Sequence, residues 1–158
     1  MDGLYLSYLD LLGEVGATLE RLSQLAQEKT AAVRRNDLTA LDEVLKQEQA
    51  MTLNLRGLEQ KRLKLVPQLG LEGTGLSALP QAYPEHLQDA ARQTADTLGR
   101  TYAIYRAYAD EARGTLELNL HQVEKVISAA GVDPKLAAAG YEAPNIEPPK
   151  NMKTDFRA

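Results

Sequence analysis

Apolar residues recur at helical spacing along three long stretches of the chain, and each stretch predicts an α-helix. The first stretch runs from Leu4 to about Arg35, with apolar positions at alternating steps of four and three residues. This seam consists of Tyr8, Leu12, Val15, Leu19, Leu22, Ala26, Lys29 and Val33. Lys29 is its polar interruption. Additional leucines widen the stripe, so the helix is expected to contact more than one neighbour.

The second stretch begins after a short break at Asn36-Asp37. Asp37 is a good N-cap because its carboxylate can accept a free backbone N–H, so a helix is predicted from Leu38. The apolar pattern continues to Val66, where Pro67 is expected to stop the helix. Such a short break allows either a kink or a tight antiparallel hairpin. A continuous rod of about 60 residues would extend about 90 Å without burying its seam, so the hairpin is favoured.

The third stretch follows a segment rich in glycine and proline. Residues 67–83 predict a flexible connection, with one short helical turn at 76–79. A helix is then predicted from Pro84 to about Ala130, followed by Gly131 as its C′ residue. At about 47 residues it would outrun its partners, so part of its apolar seam would lack cover within the chain.

These elements predict an all-α fold class. The expected architecture is an elongated antiparallel helical bundle or coiled coil of three long helices, with a short loop helix and a non-helical C-terminal tail. Residues 1–131 would form the helical domain. Residues 132–158 hold four prolines without apolar periodicity and would form a flexible tail.

Composition and charge narrow the functional classes. The chain has no Cys, which excludes disulfides, thiol nucleophiles and thiolate metal sites. A net charge of −4, with both signs interspersed, argues against a nucleic-acid surface. No apolar run is long enough for membrane insertion, and the first residues lack the basic segment of a secretion signal. A cytoplasmic protein is expected.

Enzyme chemistry has little support in the sequence. His86 and His121 lie far apart along the third helix, and Glu117 and Glu124 flank the second histidine at helical spacing. The Glu-x-x-His element of di-iron bundles does not occur, and neither does a phosphate-binding or nucleophile motif. No catalytic residue, metal or cofactor is therefore predicted.

Three tyrosines at intervals of three residues mark the middle of the third helix. Tyr102, Tyr105 and Tyr108 stand out in a chain with one Phe and no Trp. They could pack in the bundle and supply bulk to an aliphatic core, or they could form a partner-binding surface, where tyrosine is enriched. The sequence leaves both interpretations open, with packing favoured.

Residues 28–66 contain an Ala-Ala-Val element at 31–33, an Asn-Asp break at 36–37 and a Glu-x-x-Arg at 59–62. With these elements the segment resembles the flagellar export chaperones of FlgN type. The resemblance rests on an Ala-Leu-Val-like element, an Asn-Asp break, an Ala-Leu pair, a Glu/Gln-rich helix and a Glu-x-x-Arg. In this chain those parts are Ala31-Ala32-Val33, Asn36-Asp37, Ala40-Leu41, Glu48-Gln49 and Glu59 to Arg62. The order of elements also fits from about residue 4 to 130. One departure is the tyrosine cluster, where family members often carry an Asn.

The resemblance implies a non-enzymatic chaperone for hook-associated junction proteins. It would bind their amphipathic terminal helices, prevent premature assembly, and deliver them to the flagellar export apparatus. We expect the client surface on the third helix, and Tyr141 is the candidate for docking on the export gate. The client-binding candidates are Leu98, Tyr102, Tyr105, Tyr108, Ala112 and Leu116. The rival interpretations are a homo-oligomeric coiled-coil scaffold, with a homodimer formed through the same seam, and a helical-bundle metal or cofactor enzyme.

Overall fold

The computed structural model describes residues 2–129, and within them every long element is an α-helix. In chain order the elements are helix α1 (Asp2–Arg34), helix α2 (Leu38–Leu69), a 3₁₀ turn (Leu76–Ala78), helix α3 (Leu79–Ala82), a second 3₁₀ turn (Glu85–Leu87) and helix α4 (Gln88–Ala129). The described part of the chain contains no strand. The prediction of an all-α bundle of three long helices and a short loop helix is confirmed.

Helices α1 and α2 form the predicted antiparallel hairpin. Lys29, near the end of α1, contacts Glu48 in the first half of α2, whereas Thr18, in the middle of α1, contacts Asn54 further along α2. Contacts that move towards the start of one helix as they move towards the end of the other require opposite directions. The chain therefore turns back at the break and does not continue as a rod.

Two local motifs make the three-residue turn between α1 and α2. Asn36 adopts a left-handed conformation with φ 55°, and the N–H groups of Asn36 and Asp37 donate to the carbonyl groups of Val33 and Ala32 at 3.1 and 2.9 Å. This is the Schellman arrangement that satisfies the free carbonyls at a helix end. The Asp37 carboxylate then accepts from the Ala40 N–H at 3.0 Å, so the predicted N-cap is confirmed.

The predicted end of α2 at Pro67 is wrong. The helix continues through Pro67 to Leu69, although Pro67 has no N–H to donate to the carbonyl group four residues earlier. The stop comes from Gly70, which takes a left-handed φ of 66° that glycine adopts without strain. The N–H groups of Gly70 and Leu71 donate to the carbonyl groups of Pro67 and Val66 at 3.3 and 3.0 Å and close the helix.

The connection between α2 and α4 packs closely against one end of the bundle, where the sequence predicted a flexible segment. Its buried apolar residues are Leu71, Leu76, Leu79 and Tyr83. The Tyr83 hydroxyl donates to the Tyr5 carbonyl oxygen at 2.9 Å, and the two rings meet edge to face at 4.7 Å. Leucines spaced through the glycine- and proline-rich stretch thus turn it into a cap over the bundle.

Helix α4 begins later than predicted. Pro84 adopts an extended conformation with ψ 145°, and the 3₁₀ turn Glu85–Leu87 precedes the first α-helical residue, Gln88. The predicted helix end at 130–131 and the domain boundary before the tail at 132–158 lie outside the described residues.

Helix α4 runs parallel to α1 and antiparallel to α2. His86 lies 2.8 Å from Asp2 at the start of the bundle, and Arg34 lies 3.3 Å from Glu111 at the end of α1. Helix α1 therefore lies at the centre and packs along both α2 and α4. The core consists mainly of leucines, α1 supplies the largest share of its residues, and alanines of α4 allow that helix to approach.

Candidate functional site

Charged residues inside the bundle pair with one another across or along the helices. The Lys29 ammonium donates to both Glu48 carboxylate oxygens, at 2.8 and 3.0 Å, and both side chains are buried. Arg62 makes two bonds of 2.8 Å to Glu59. Burial alone would lower the pKa of Arg62, but its hydrogen bonds to Glu59 and Tyr8 outweigh it and raise the pKa. These polar interruptions of the apolar seams are satisfied structural pairs.

The structure places the six predicted client-binding residues on one side of α4, largely against the bundle. Leu98, Tyr105 and Ala112 are buried. Burial raises the pKa of Tyr105 to about 12, and the nearby Glu48 carboxylate adds to the effect. The side chain of Tyr105 thus lies in the core, as the packing interpretation of the tyrosines predicts.

The other three predicted residues lie at the edge of the bundle. Tyr102 and Tyr108 are half-buried, and the Tyr102 ring lies 6.4 Å from that of Tyr105. Leu116 is also half-buried and packs against Leu41 and its neighbours at the end of the hairpin. Their role in client binding stays a prediction, and Tyr141 lies outside the described residues.

Helix α4 continues well beyond the end of α1. Arg34 at the end of α1 is level with Glu111, and Leu116 packs against the hairpin core. Beyond Ala112 none of the α4 side chains that the structure describes is buried. We call the segment Glu117–Ala129 the α4 overhang; it is thirteen residues long, or about 20 Å.

The α4 overhang carries large apolar side chains in solvent. Leu118 is 60% exposed, Leu120 38% and Val126 70%. Leu120 follows Leu116 by four residues and therefore continues the side of α4 that packs on α1. Leu118 lies about 200° away around the helix, because each residue rotates by about 100°. The overhang is therefore apolar on the side that continues the bundle interface and also on the side opposite.

Sequence reasoning missed these exposed residues, although it anticipated a surplus of uncovered helix. The signal was the difference in helix length, since a third helix that begins level with the first must project beyond it at the other end. The predicted surface was placed at 98–116, which is the part that α1 covers. Residues 117–129, directly after it, form the uncovered part.

The two histidines lie far apart and at the surface in the described part of the chain. Within residues 2–129 no three His, Asp or Glu side chains are placed to hold a metal ion. His86 pairs with Asp2 at the surface, and His121 is exposed on the α4 overhang. None of the described helices has an apolar stretch long enough to cross a bilayer. An exposed apolar helix surface such as that of the α4 overhang is suited to contact with another polypeptide.

Comparison with known proteins gives one match. The family model described as FlgN protein matches residues 1–143, which is most of the chain. No curated protein and no solved structure matches it. The matched range includes the hairpin, the packed connection and the whole α4 overhang.

Proposed function

We propose that this chain, which belongs to the FlgN family of flagellar export chaperones, binds the hook-associated proteins of the hook–filament junction. In this role it keeps its clients from assembling prematurely and delivers them to the flagellar export apparatus. A chaperone role follows from the family, whereas the clients and the delivery step are our proposal. No nucleotide, metal or other cofactor takes part in the scheme.

The observation that carries the proposal is the uncovered α4 overhang. An amphipathic helix binds most readily where a partner helix already presents an apolar stripe without cover. Leu120 and the half-buried Leu116 supply such a stripe, on the side of α4 that continues the interface with α1. Fully covering an exposed leucine contributes about 1.5–3 kcal/mol, and association itself costs at least about 4 kcal/mol, so these contacts favour a weak, reversible complex.

A reversible complex is what an export chaperone requires, since it must hold its client and then release it. The proposed place of action is the cytoplasm, where clients are synthesised before export. Residues after 129 are proposed to serve delivery, with Tyr141 as the contact to the export gate. That assignment follows from the family resemblance of the sequence.

A binding experiment with matched variants tests the proposal. The chain is co-expressed with a junction protein encoded by the same genome, and the complex is isolated through a tag on the client. We expect the unmodified chain to co-purify and to keep the client monomeric in light scattering. A triple variant of the overhang, Leu118→Asp, Leu120→Asp and Val126→Asp, should lose co-purification, because the charge introduced at Leu120 would be desolvated on contact with the client.

The matched control places three aspartates on exposed leucines of the bundle. Leu6→Asp, Leu53→Asp and Leu63→Asp alter side chains that are exposed by 45% or more and lie on α1 and α2. This variant has the same change in net charge and should still capture the client. Equal loss of capture in both triple variants, with helicity retained in circular dichroism, would contradict a client site on the overhang.

A homodimer through the overhang is the second candidate, and the same exposed leucines favour it. In a dimer of two overhangs lying side by side, each overhang would bury about 350 Å². This area is about half the cylindrical surface of a helix about 20 Å long and 11 Å wide. Stable complexes bury about 800 Å² on each partner. A dimer that depends on the overhang alone is therefore expected to be weak, and light scattering over a range of concentrations measures it directly.

A further inference from the structure

The hairpin between α1 and α2 ends beside the base of the α4 overhang, and its tip exposes a leucine. Leu38, the first residue of α2, is 76% exposed. Its neighbours one and two turns along α2 are Leu41, which is buried, and Leu45, which packs against the same small core cluster. That cluster also contacts Leu116 of α4.

The direction of the helices places Leu38 near the base of the overhang. Because α2 and α4 are antiparallel, one turn towards the start of α2 corresponds to one turn towards the end of α4. Glu48 of α2 lies near Tyr105 of α4, so Leu38, ten residues before Glu48, is about level with Leu116, one turn before Leu120. Gln47 and Asn54, which contact α1, lie on the opposite side of α2 from Leu38, whereas Glu48, which binds Lys29 of α1, lies about 80° from it. We call the space between Leu38 and Leu120 the corner, with these two residues as its walls.

We propose that the client helix binds in this corner, and that Leu38 is an anchor of the client-binding site. The inference rests on the proposed function. An amphipathic helix of three to four turns would lie on the α1-facing side of the overhang, in the place where α1 would continue beyond Arg34. One end of the client helix would then meet the hairpin tip at Leu38.

Two features of the structure favour a client helix over other occupants. The stripe that includes Leu116 and Leu120 is continuous with the side of α4 that packs on α1, so the geometry of helix packing is already set. A second copy of the chain, paired along its overhang alone, would bury less than half of what a stable dimer needs. A client helix in the corner would contact Leu38 in addition to the overhang.

Four single substitutions to aspartate test this geometry. Leu38→Asp and Leu120→Asp alter the corner, whereas Leu53→Asp and Leu118→Asp alter leucines outside it. The pairs are matched: Leu53 is 68% exposed on the same helix as Leu38, and Leu118 lies on the opposite side of the overhang from Leu120. The probe is a fluorescent peptide of the terminal helix of the junction protein, and the full chain is titrated into it. Circular dichroism and thermal unfolding verify that each variant folds.

We expect Leu38→Asp and Leu120→Asp each to raise the Kd for the peptide by at least tenfold, since an anchor leucine is lost and a charge is desolvated. Leu53→Asp and Leu118→Asp should leave the Kd within about twofold of the unmodified chain. If Leu120→Asp weakens binding while Leu38→Asp behaves like Leu53→Asp, the corner is wrong and the client site on the overhang stands.

Two other results would contradict the inference, one through the proposed function and one through the identity of the occupant. If the unmodified chain binds neither the peptide nor the intact junction protein, the proposed function itself fails. If the chain is a dimer that Leu120→Asp dissociates, and the peptide does not compete with it, the occupant of the corner is a second copy.

Discussion

Tyr105 is buried between the helices of the bundle close to Glu48, and this surrounding changes its ionisation. Burial raises its pKa to about 12, whereas an unfolded tyrosine ionises near 10. The neutral side chain therefore stabilises the folded state fully below pH 10, and this contribution is lost as the pH rises from about 10 to 12. Stability falls as the pH rises because the unfolded chain releases the tyrosine proton at a lower pH than the folded chain does.

Replacement of Tyr105 by phenylalanine should remove this part of the alkaline unfolding. Between pH 9 and 12 the unmodified chain is expected to lose roughly 2 kcal/mol of unfolding free energy more than Tyr105→Phe does. Urea unfolding followed by circular dichroism at each pH measures the difference, and the value at pH 8 is the reference for the loss of the hydroxyl. A difference that stays constant from pH 8 to 12 would show that Tyr105 titrates normally.

Lys29 of α1 and Glu48 of α2 form a buried ion pair that joins the two helices. Both side chains are nearly inaccessible to solvent. Removing one partner leaves the other charge buried without compensation, which costs about 3–5 kcal/mol. We therefore expect Glu48→Leu to destabilise the fold by that amount in urea unfolding. The double variant Lys29→Met with Glu48→Leu should recover most of the loss, because an apolar pair of similar size replaces the ion pair.

An exposed pair on the same helix is the control for this cycle. Lys46 and Asp42 lie 3.0 Å apart, and both side chains are 67% exposed. Lys46→Met should leave the unfolding free energy unchanged within error. Equal effects of Glu48→Leu and Lys46→Met would contradict a buried charge as the cause.

How far the sequence predicts each element depends on how local its determinants are. The α1–α2 turn was predicted correctly because its cap is local: the Asp37 carboxylate accepts from the N–H of Ala40, three residues later. The end of α2 was not, since the proline rule treats a proline in the final turn like one in the middle. The packed connection was also missed, because its apolar side chains become buried only against residues far away in the sequence. Tyr83, for example, packs against Tyr5.

At the scale of the whole molecule, the two ends of the bundle differ. The connection packs over the end where α1 and α4 begin, and at the other end the described residues of α4 extend past the hairpin. The sequence predicted that α4 would outrun its partners, since this needs only helix lengths. It could not place the uncovered part, because the register between parallel helices is fixed by packing between residues far apart in the sequence, such as Leu98 against Gly16. The predicted surface at 98–116 consequently fell on the covered part.

The client corner and the tail belong to separate parts of the chain, which makes their functions separable. Leu38 and the α4 overhang lie within residues 2–129, so a chain truncated after residue 140 keeps both walls of the corner. We expect this truncation to bind the client peptide with an unchanged Kd, yet to fail in delivery. Secretion of the junction protein by cells carrying the truncated chain measures delivery.

The substitution Tyr141→Ala in the full-length chain distinguishes a specific contact from a need for the tail as a whole. If Tyr141 makes the contact with the export gate, the substitution should reduce secretion nearly as much as the truncation, while client capture remains intact. Truncation that abolishes peptide binding would instead make residues 141–158 part of the client site, since a segment that covers the corner contributes its own apolar contacts there. Normal secretion by both variants would remove the tail from delivery and leave the helical domain to contact the export apparatus.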